Sequence, residues 1–227
     1  MNRTDIGLPH DLALLMRAFA ALGYVGAFGH SSLRSDTGAW ITPTSPPPAG
    51  HTRHHMLHVD QNGDVLSGNP ASRPIEVFLH VAVYAARPDV LAICRTHAPM
   101  ASSMTCESEL PPIVHGFGGL VRTLARYDDC DLVHSVQKGQ AAARALGDAE
   151  ALLLRGNGVL TVGASLSQAA ARMWALEERC RYASVCRTAR SFEAAEYQAR
   201  SVWYPAEQER IWTWLRALGA ADWWGAE

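Results

Sequence analysis

Residues 87–99 read RPDVLAICRTHAP, and the fold is decided by how this stretch is read. Pro88 has no amide hydrogen and biases the residue before it away from helix, so any preceding helix ends here. The apolar run that follows directly is a strand. Strand side chains alternate between faces, which puts Leu91, Ile93, Arg95 and His97 on one face and Ala92, Cys94 and Thr96 on the other. Arg95 and His97 are therefore neighbours in space.

Working outward, PIEVFLHVAVYAARP (74–88) predicts a helix opened by Pro74, with Glu76 and His80 four residues apart on one face. Downstream, a helix over about 136–146 stops at Gly147. The apolar strand ALLL (151–154) then enters the turn RGNG, and VLTVG (159–163) resumes the strand. Ser165 with Gln168 reads as a capping box, and Leu166, Ala169, Met173, Leu176 and Cys180 carry a long helix onward. Nearer the N-terminus, Leu12, Leu15, Met16, Phe19 and Leu22 form a helical stripe closed by Gly23. GYVGAFGHSSLR (23–34) reads as a Gly-rich turn, Trp40 to Thr42 as a short strand, and TPTSPPPAG (42–50) as an ordered loop or lid. HVDQNGDVLSG (58–68) reads as a hairpin with Asn62-Gly63 at its turn. A last helix runs from near Pro205 to Gly219. Strands and helices alternate without repeats or a flexible linker, so one layered α/β domain over residues 1–227 is expected.

Composition narrows the function. The 227 residues are 48% hydrophobic and 19% charged, with 20 basic and 22 acidic side chains and a formal charge of −2. These values place the chain among globular proteins. Lys138 is the single lysine and no basic block occurs, so neither nucleic acid nor an anionic membrane is an expected partner. No apolar run is long enough to span a bilayer, and charges at Arg3, Asp5 and Asp11 argue against a secretory signal. A cytoplasmic protein is expected. Five cysteines without CxxC spacing are read as reduced thiols.

Several motifs in fixed order carry a resemblance. GHSSLR (29–34), ITPTS (41–45), Glu76 to His80, RPDVLAICRTHAP (87–99) and LLLRGNGVLTVG (152–163) together resemble the class II, metal-dependent aldolase and adducin family, typified by fuculose-phosphate aldolase. The resemblance spans roughly residues 11–186. His30 in the first turn is closer to the branch with pyridine- and phthalate-type decarboxylases. What the resemblance implies is a three-layer α/β/α fold with a central, mainly antiparallel sheet, and a homotetramer with active sites between subunits. The Trp-rich segment at about 203–227 (Trp203, Tyr204, Trp212, Trp214, Trp223, Trp224) is expected to dock on a neighbouring subunit.

In that family three histidines hold a divalent metal beside the helix glutamate. This chain keeps Glu76 and His97 but has Arg95 and Asn157 at the other two histidine positions. A guanidinium offers no lone pair, and an amide carbonyl is a poor zinc ligand. No resident metal is expected, with weakly held Zn or Mn on His97, Glu76 and His115 as the alternative. The reading is a lyase that makes or breaks a C–C bond, by aldol cleavage or decarboxylation, next to a carbonyl or carboxylate of a small substrate. Glu76 is the acid/base, Arg95 holds the anion in place of the metal's charge, and His97 and His115 are auxiliary catalytic groups. His30, Ser31, Thr44, Ser45 and Asn157 are candidate substrate-binding residues. Pro74-Ile75 replaces the paired serines that precede the glutamate in sugar-phosphate aldolases, which disfavours a phosphorylated substrate. The competing reading is a silent binding or assembly protein in which Arg95 and Glu76 form a buried salt bridge. HTRHHMLH (51–58) is either a metal-binding run or a solvated loop, and Arg34 is expected in a structural ion pair.

Overall fold

The computed structural model describes residues 8–186 and 188–221. Eight strands form one sheet in the spatial order β4-β3-β2-β1-β5-β8-β7-β6, where β1 is His30–Ser35, β2 Gly38–Ile41, β3 Leu57–Val59, β4 Val65–Ser67, β5 Ala92–Thr96, β6 Leu124–Tyr127, β7 Ala151–Leu154 and β8 Val159–Gly163. Every neighbouring pair is antiparallel except β6–β7. The helices are α1 (Leu8–Ala21), α2 (Val77–Ala86), α3 (Pro99–Met104), α4 (Val136–Leu146), α5 (Leu166–Val185), α6 (Ala194–Ser201) and α7 (Tyr204–Ala220).

The alternation of strand side chains divides the core in two. Ala92, Cys94, Ala151, Leu153 and Val159 pack under α1, α5 and α7. Ile93, Leu152, Leu154, Leu160 and Val162 pack under α2 and α4 on the opposite face. This is the three-layer α/β/α arrangement with a mainly antiparallel sheet. None of the described helices is long and apolar enough to cross a membrane.

Several local readings change. His30 to Ser35 is not a turn but a central strand, paired with β5 in the register His30↔Arg95 and Ser32↔Ile93. The helix after Pro74 starts at Val77, and Glu76 stands at its N-cap. In the β3–β4 hairpin only Gly63 takes positive φ, and Asp60 caps the loop by accepting from the amides of Asn62 and Asp64. At α5 the Ser165 side chain accepts from the Gln168 amide as expected, but the Gln168 side chain accepts from Ala164 rather than from Ser165. Among the described residues Arg34 makes no ion pair; it donates to the carbonyl oxygens of Val90, Tyr84 and Arg87, tying β1 to the end of α2. In the histidine-rich run, His51 is buried and bonded to the Pro46 carbonyl, and His58 stacks on Trp40. In the C-terminal segment, Ile211 and Leu215 join this chain's own core and Trp212 packs against it, whereas Trp203 and Trp214 are exposed. Trp223 and Trp224 lie outside the described residues.

Helix α2 is positioned by α4, and the approach is close: a Cβ on Gly139 would lie 2.3 Å from the Phe78 carbonyl oxygen. Alanine favours a helix interior by about 1 kcal/mol over glycine. Overpacking against backbone costs about 1–3 kcal/mol, so the clash should win. Gly139→Ala is therefore expected to lower the melting temperature; an unchanged or raised value in a thermal melt would show that the two helices can separate freely.

Candidate functional site

Four segments converge where the C-terminal end of β5 meets the N-cap of α2. Glu76 has left the helix ladder, so its carboxylate turns toward the sheet. Its Oε2 lies 3.2 Å from Arg95 Nη2 and 3.5 Å from His30 Nε2. Its Oε1 accepts from Asn157 Nδ2 at 3.1 Å and from the Val133 amide at 3.3 Å. Asn157 arrives from the β7–β8 corner, where Gly158 must be glycine. Its φ is +79°, and a Cβ there would lie 2.4 Å from the Thr96 carbonyl oxygen.

Beside this carboxylate opens a cavity of about 530 Å³. Glu76, His30, His97, Asn157 and Thr44 line it together with Phe28, Pro43, Pro48, Ile75 and Leu132. Most of the wall is apolar, and the polar groups gather at one end. Arg95 is fully buried and is not part of the lining. Its Nη1 donates to the Thr96 carbonyl at 2.8 Å and lies 3.5 Å from His97 Nε2. The approach of Nη2 to Glu76 is an ion-pair contact rather than a directed hydrogen bond, and among the described residues neither Nε nor Nη2 has a hydrogen-bond partner.

Charge and burial set the protonation states. Burial alone raises the Glu76 carboxyl, but the His30 contact, the Arg95 charge and the Val133 amide outweigh it and hold the group well below the usual carboxylate range. Burial lowers both His30 and His80, against the pull of Glu76. Burial, seconded by Arg95, lowers His97 to about 4. Around Glu76 the pocket at neutral pH thus holds one carboxylate, one guanidinium beneath it and neutral imidazoles; a second guanidinium, that of Arg73, also lines the cavity and donates to the Gly63 carbonyl.

Of the residues read from sequence, Glu76, His97, His30, Asn157 and Thr44 meet in one cavity, with Arg95 under its floor. Three do not join them. Ser31 faces the opposite side of the sheet, where its hydroxyl contacts Met16 Sδ at 3.3 Å. Ser45 is exposed and outside the lining. His115 stacks on Tyr182 with ring centroids 3.9 Å apart, beside Phe117, and does not line the cavity. Sequence reading passed over Ser32 and Tyr84 and gave His80 no role. His80 Nδ1 is 2.6 Å from Ser32 Oγ, which is 2.7 Å from Tyr84 Oη, and His80 Nε2 is 2.7 Å from His30 Nδ1. The signal was present: Glu76, His80 and Tyr84 recur every four residues on one helix face, and His30 and Ser32 every two on one strand face.

The alternative metal set of His97, Glu76 and His115 is not assembled, because His115 lies elsewhere. The donor chemistry points the same way, since a divalent ion bound by Glu76 and His97 would sit against the permanent charge of Arg95. These residues do not fit such an ion.

The model of the class II aldolase and adducin N-terminal domain matches residues 10–184. The 3,4-dihydroxyphthalate decarboxylase of Rhodococcus jostii (strain RHA1) is 30% identical over 198 residues, covering 80% of this chain and 81% of that protein. The L-fuculose phosphate aldolase of Methanococcus maripaludis (strain S2) is 23% identical over 154 residues, covering 68% and 83%. A solved structure of an aldolase II superfamily protein from Pseudomonas syringae superposes with a TM-score of 0.83 over 96% of this chain and 94% of that one at 18% identity, a likeness of fold. With three quarters of its length matched by the family model and the same architecture in the solved relative, this chain belongs to the class II aldolase and adducin N-terminal domain family.

Proposed function

We propose that this cavity carries out a lyase reaction, breaking or forming a C–C bond next to a carbonyl or carboxylate of a small, non-phosphorylated substrate, without a resident metal. The observation that carries the reading is an ionised carboxylate, Glu76, hydrogen-bonded by Asn157 and the Val133 amide, ion-paired with Arg95 and approached by His30, on the lining of a largely apolar cavity. Phe28, Pro43, Pro48, Ile75 and Leu132 suit the faces of a planar or aromatic substrate. Pro74-Ile75, just before Glu76, offers no hydroxyl, and Pro74 offers no amide hydrogen to a phosphate. Decarboxylation of an aromatic carboxylate, as the name of the Rhodococcus relative states for that protein, is the reaction best matched to these walls.

In this mechanism Glu76 takes the proton of a substrate hydroxyl. Glu76 returns that proton to the carboxylate-bearing carbon, which turns the adjacent C–O⁻ into a carbonyl. The C–COO⁻ bond then breaks, carbon dioxide leaves, and the electron pair passes through that carbon to the carbonyl oxygen, giving an enolate. His30, His97 and Asn157 donate hydrogen bonds to the substrate's oxygens, with Thr44 at the mouth. Arg95 acts from below: its fixed charge keeps Glu76 ionised as a base and contributes a positive field to the developing enolate. Homo-oligomerisation and a cytoplasmic setting belong to the same reading, and Trp203 and Trp214 are the exposed aromatics a second copy would cover. The Arg95–Glu76 contact equally suits the silent binding protein, so turnover decides between the two.

Three outcomes are expected. With 3,4-dihydroxyphthalate as substrate, carbon dioxide release should exceed any cleavage of fuculose 1-phosphate, and Glu76→Gln should lower it by about 10²–10⁴-fold. A folded Gln variant with undiminished turnover would remove Glu76 from the chemistry. Second, Arg95→Leu leaves a buried carboxylate without its cation, at a cost of about 3–5 kcal/mol, and adding Glu76→Gln should restore much of that loss in denaturant titrations. Equal losses in single and double variants would show that the pair is not coupled. Third, Glu76 and His97 titrate only in acid, His97 at about 4, so kcat/KM should stay level from pH 8 to about 5 and fall below it. Stability should have the same sign: the unfolded chain protonates His97 near 6.5 and the folded one only near 4, so acid in that window favours unfolding. An acid limb in kcat/KM centred above pH 6 would contradict these assignments.

A further inference from the structure

The hydrogen-bonded row Tyr84–Ser32–His80–His30 ends at the Glu76 carboxylate, and the direction of its protons is determined by its two ends. His30 Nδ1 and His80 Nε2 are 2.7 Å apart, so one of them carries a proton and the other is bare. Two arrangements of neutral rings satisfy the middle of the row. In one, His80 Nε2–H donates to His30 Nδ1, His80 Nδ1 accepts from the Ser32 hydroxyl, and Ser32 accepts from Tyr84. This leaves His30 with its proton on Nε2, the nitrogen 3.5 Å from Glu76 Oε2. In the other, every bond reverses: a bare His30 Nε2 lone pair faces a carboxylate, and the Tyr84 hydroxyl proton points at no partner among the described residues. Both ends reject the second arrangement, since a lone pair against an anion is repulsive and a buried unpaired donor is costly.

We propose that His80, with Ser32 and Tyr84 behind it, is a positioning residue that locks His30 as a neutral Nε2–H donor directed into the cavity. The 3.5 Å separation from Glu76 is long for a hydrogen bond, so the Nε2 proton remains open to an incoming oxygen. A neutral imidazole so held donates a hydrogen bond to a developing oxyanion and keeps its proton, because losing it would leave an imidazolate, while burial keeps both rings from gaining a second proton. The oxyanion role rests on the lyase reading above; the tautomer itself does not. Ser32 owes its place to strand alternation and Tyr84 to helical periodicity. All four side chains lie on the α2 side of the sheet, and His30 pairs across the strands with Arg95.

The test is a long-range ¹H–¹⁵N correlation spectrum of the ¹⁵N-labelled full chain at neutral pH, with the two rings assigned through His30→Asn and His80→Asn. The expected pattern is a protonated Nε2 and a bare Nδ1 on both His30 and His80. A proton on Nδ1 of either ring, or on both nitrogens of one, overturns the proposal. Glu76→Gln replaces the acceptor that orders the row with a group able to donate, so a Nδ1–H form of His30 should become detectable. Its complete absence in a folded variant would overturn the carboxylate's part in setting the direction. Should that variant fail to fold, the wild-type spectrum still decides. The measurement needs no substrate. An inactive protein with the expected tautomers fails the lyase reading alone, and an active one with the opposite tautomers fails this proposal alone.

Discussion

A carboxylate removed from water must be given its hydrogen bonds by the protein, and the Glu76 site is organised around that requirement. The partners of Glu76 come from four separate places: Asn157 at the β7–β8 corner and the Val133 amide ahead of α4 donate hydrogen bonds, Arg95 on β5 supplies the opposite charge, and His30 on β1 stands 3.5 Å away. None is close to Glu76 in sequence, so the site exists only when the sheet is assembled in register. The His30↔Arg95 cross-strand pairing sets the two side chains next to each other on the face that α2 covers. A slip of one residue would turn both into the other core.

Helix α2 then has two tasks that its sequence separates by face. Val77, Leu79 and Val83 are fully buried among the apolar residues over the sheet. Glu76, His80 and Tyr84 lie one turn apart and lie against the polar stripe His30 and Ser32 on β1. A helix and a strand thus meet along matched polar lines inside an otherwise apolar layer, an arrangement that is affordable because each group is satisfied by the next. Arg34 closes the far end, stacked over the Tyr84 ring and bonded to the carbonyls at the helix C-terminus.

Much of this was legible in the sequence where a strong period or a breaker was present. The Gly147 stop, the Gly-Asn-Gly corner and the alternation through Arg95 correspond to α4, the β7–β8 hairpin and β5. The motif order was enough to name the family. Strand β1 was not legible, because glycines at 23, 26 and 29 make the segment look like a turn. Its strand character comes from pairing with β2 and β5 rather than from local preference. That one misreading cost the site most: treated as a turn, Ser31 and Ser32 look equivalent, whereas in a strand Ser31 contacts Met16 and Ser32 contacts His80. His115 failed for a different reason. Its place depends on how the loop after α3 packs on α5, a contact between distant segments with no periodic signature.

Where the family resemblance places a metal-binding imidazole this chain has the Arg95 guanidinium, and the difference concerns more than a ligand count. A bound divalent ion presents its charge to the substrate directly, whereas Arg95 has no exposed surface and reaches the cavity only through Glu76 and its field. In the proposed reaction, the donors on the lining beside Glu76 that can meet a developing oxyanion directly are neutral ones: His30, His97 and Asn157. Neutral donors stabilise an oxyanion less than a metal does, but they can be aimed, and aiming requires that each hold a fixed proton. For Asn157 the amide hydrogen is fixed by covalent structure. For an imidazole it is not, since either nitrogen can carry it, so a site that relies on imidazole donors needs a device that chooses the tautomer. The row from Tyr84 to His30, buried and directed toward a carboxylate, meets that need with the side chains this fold places behind its pocket.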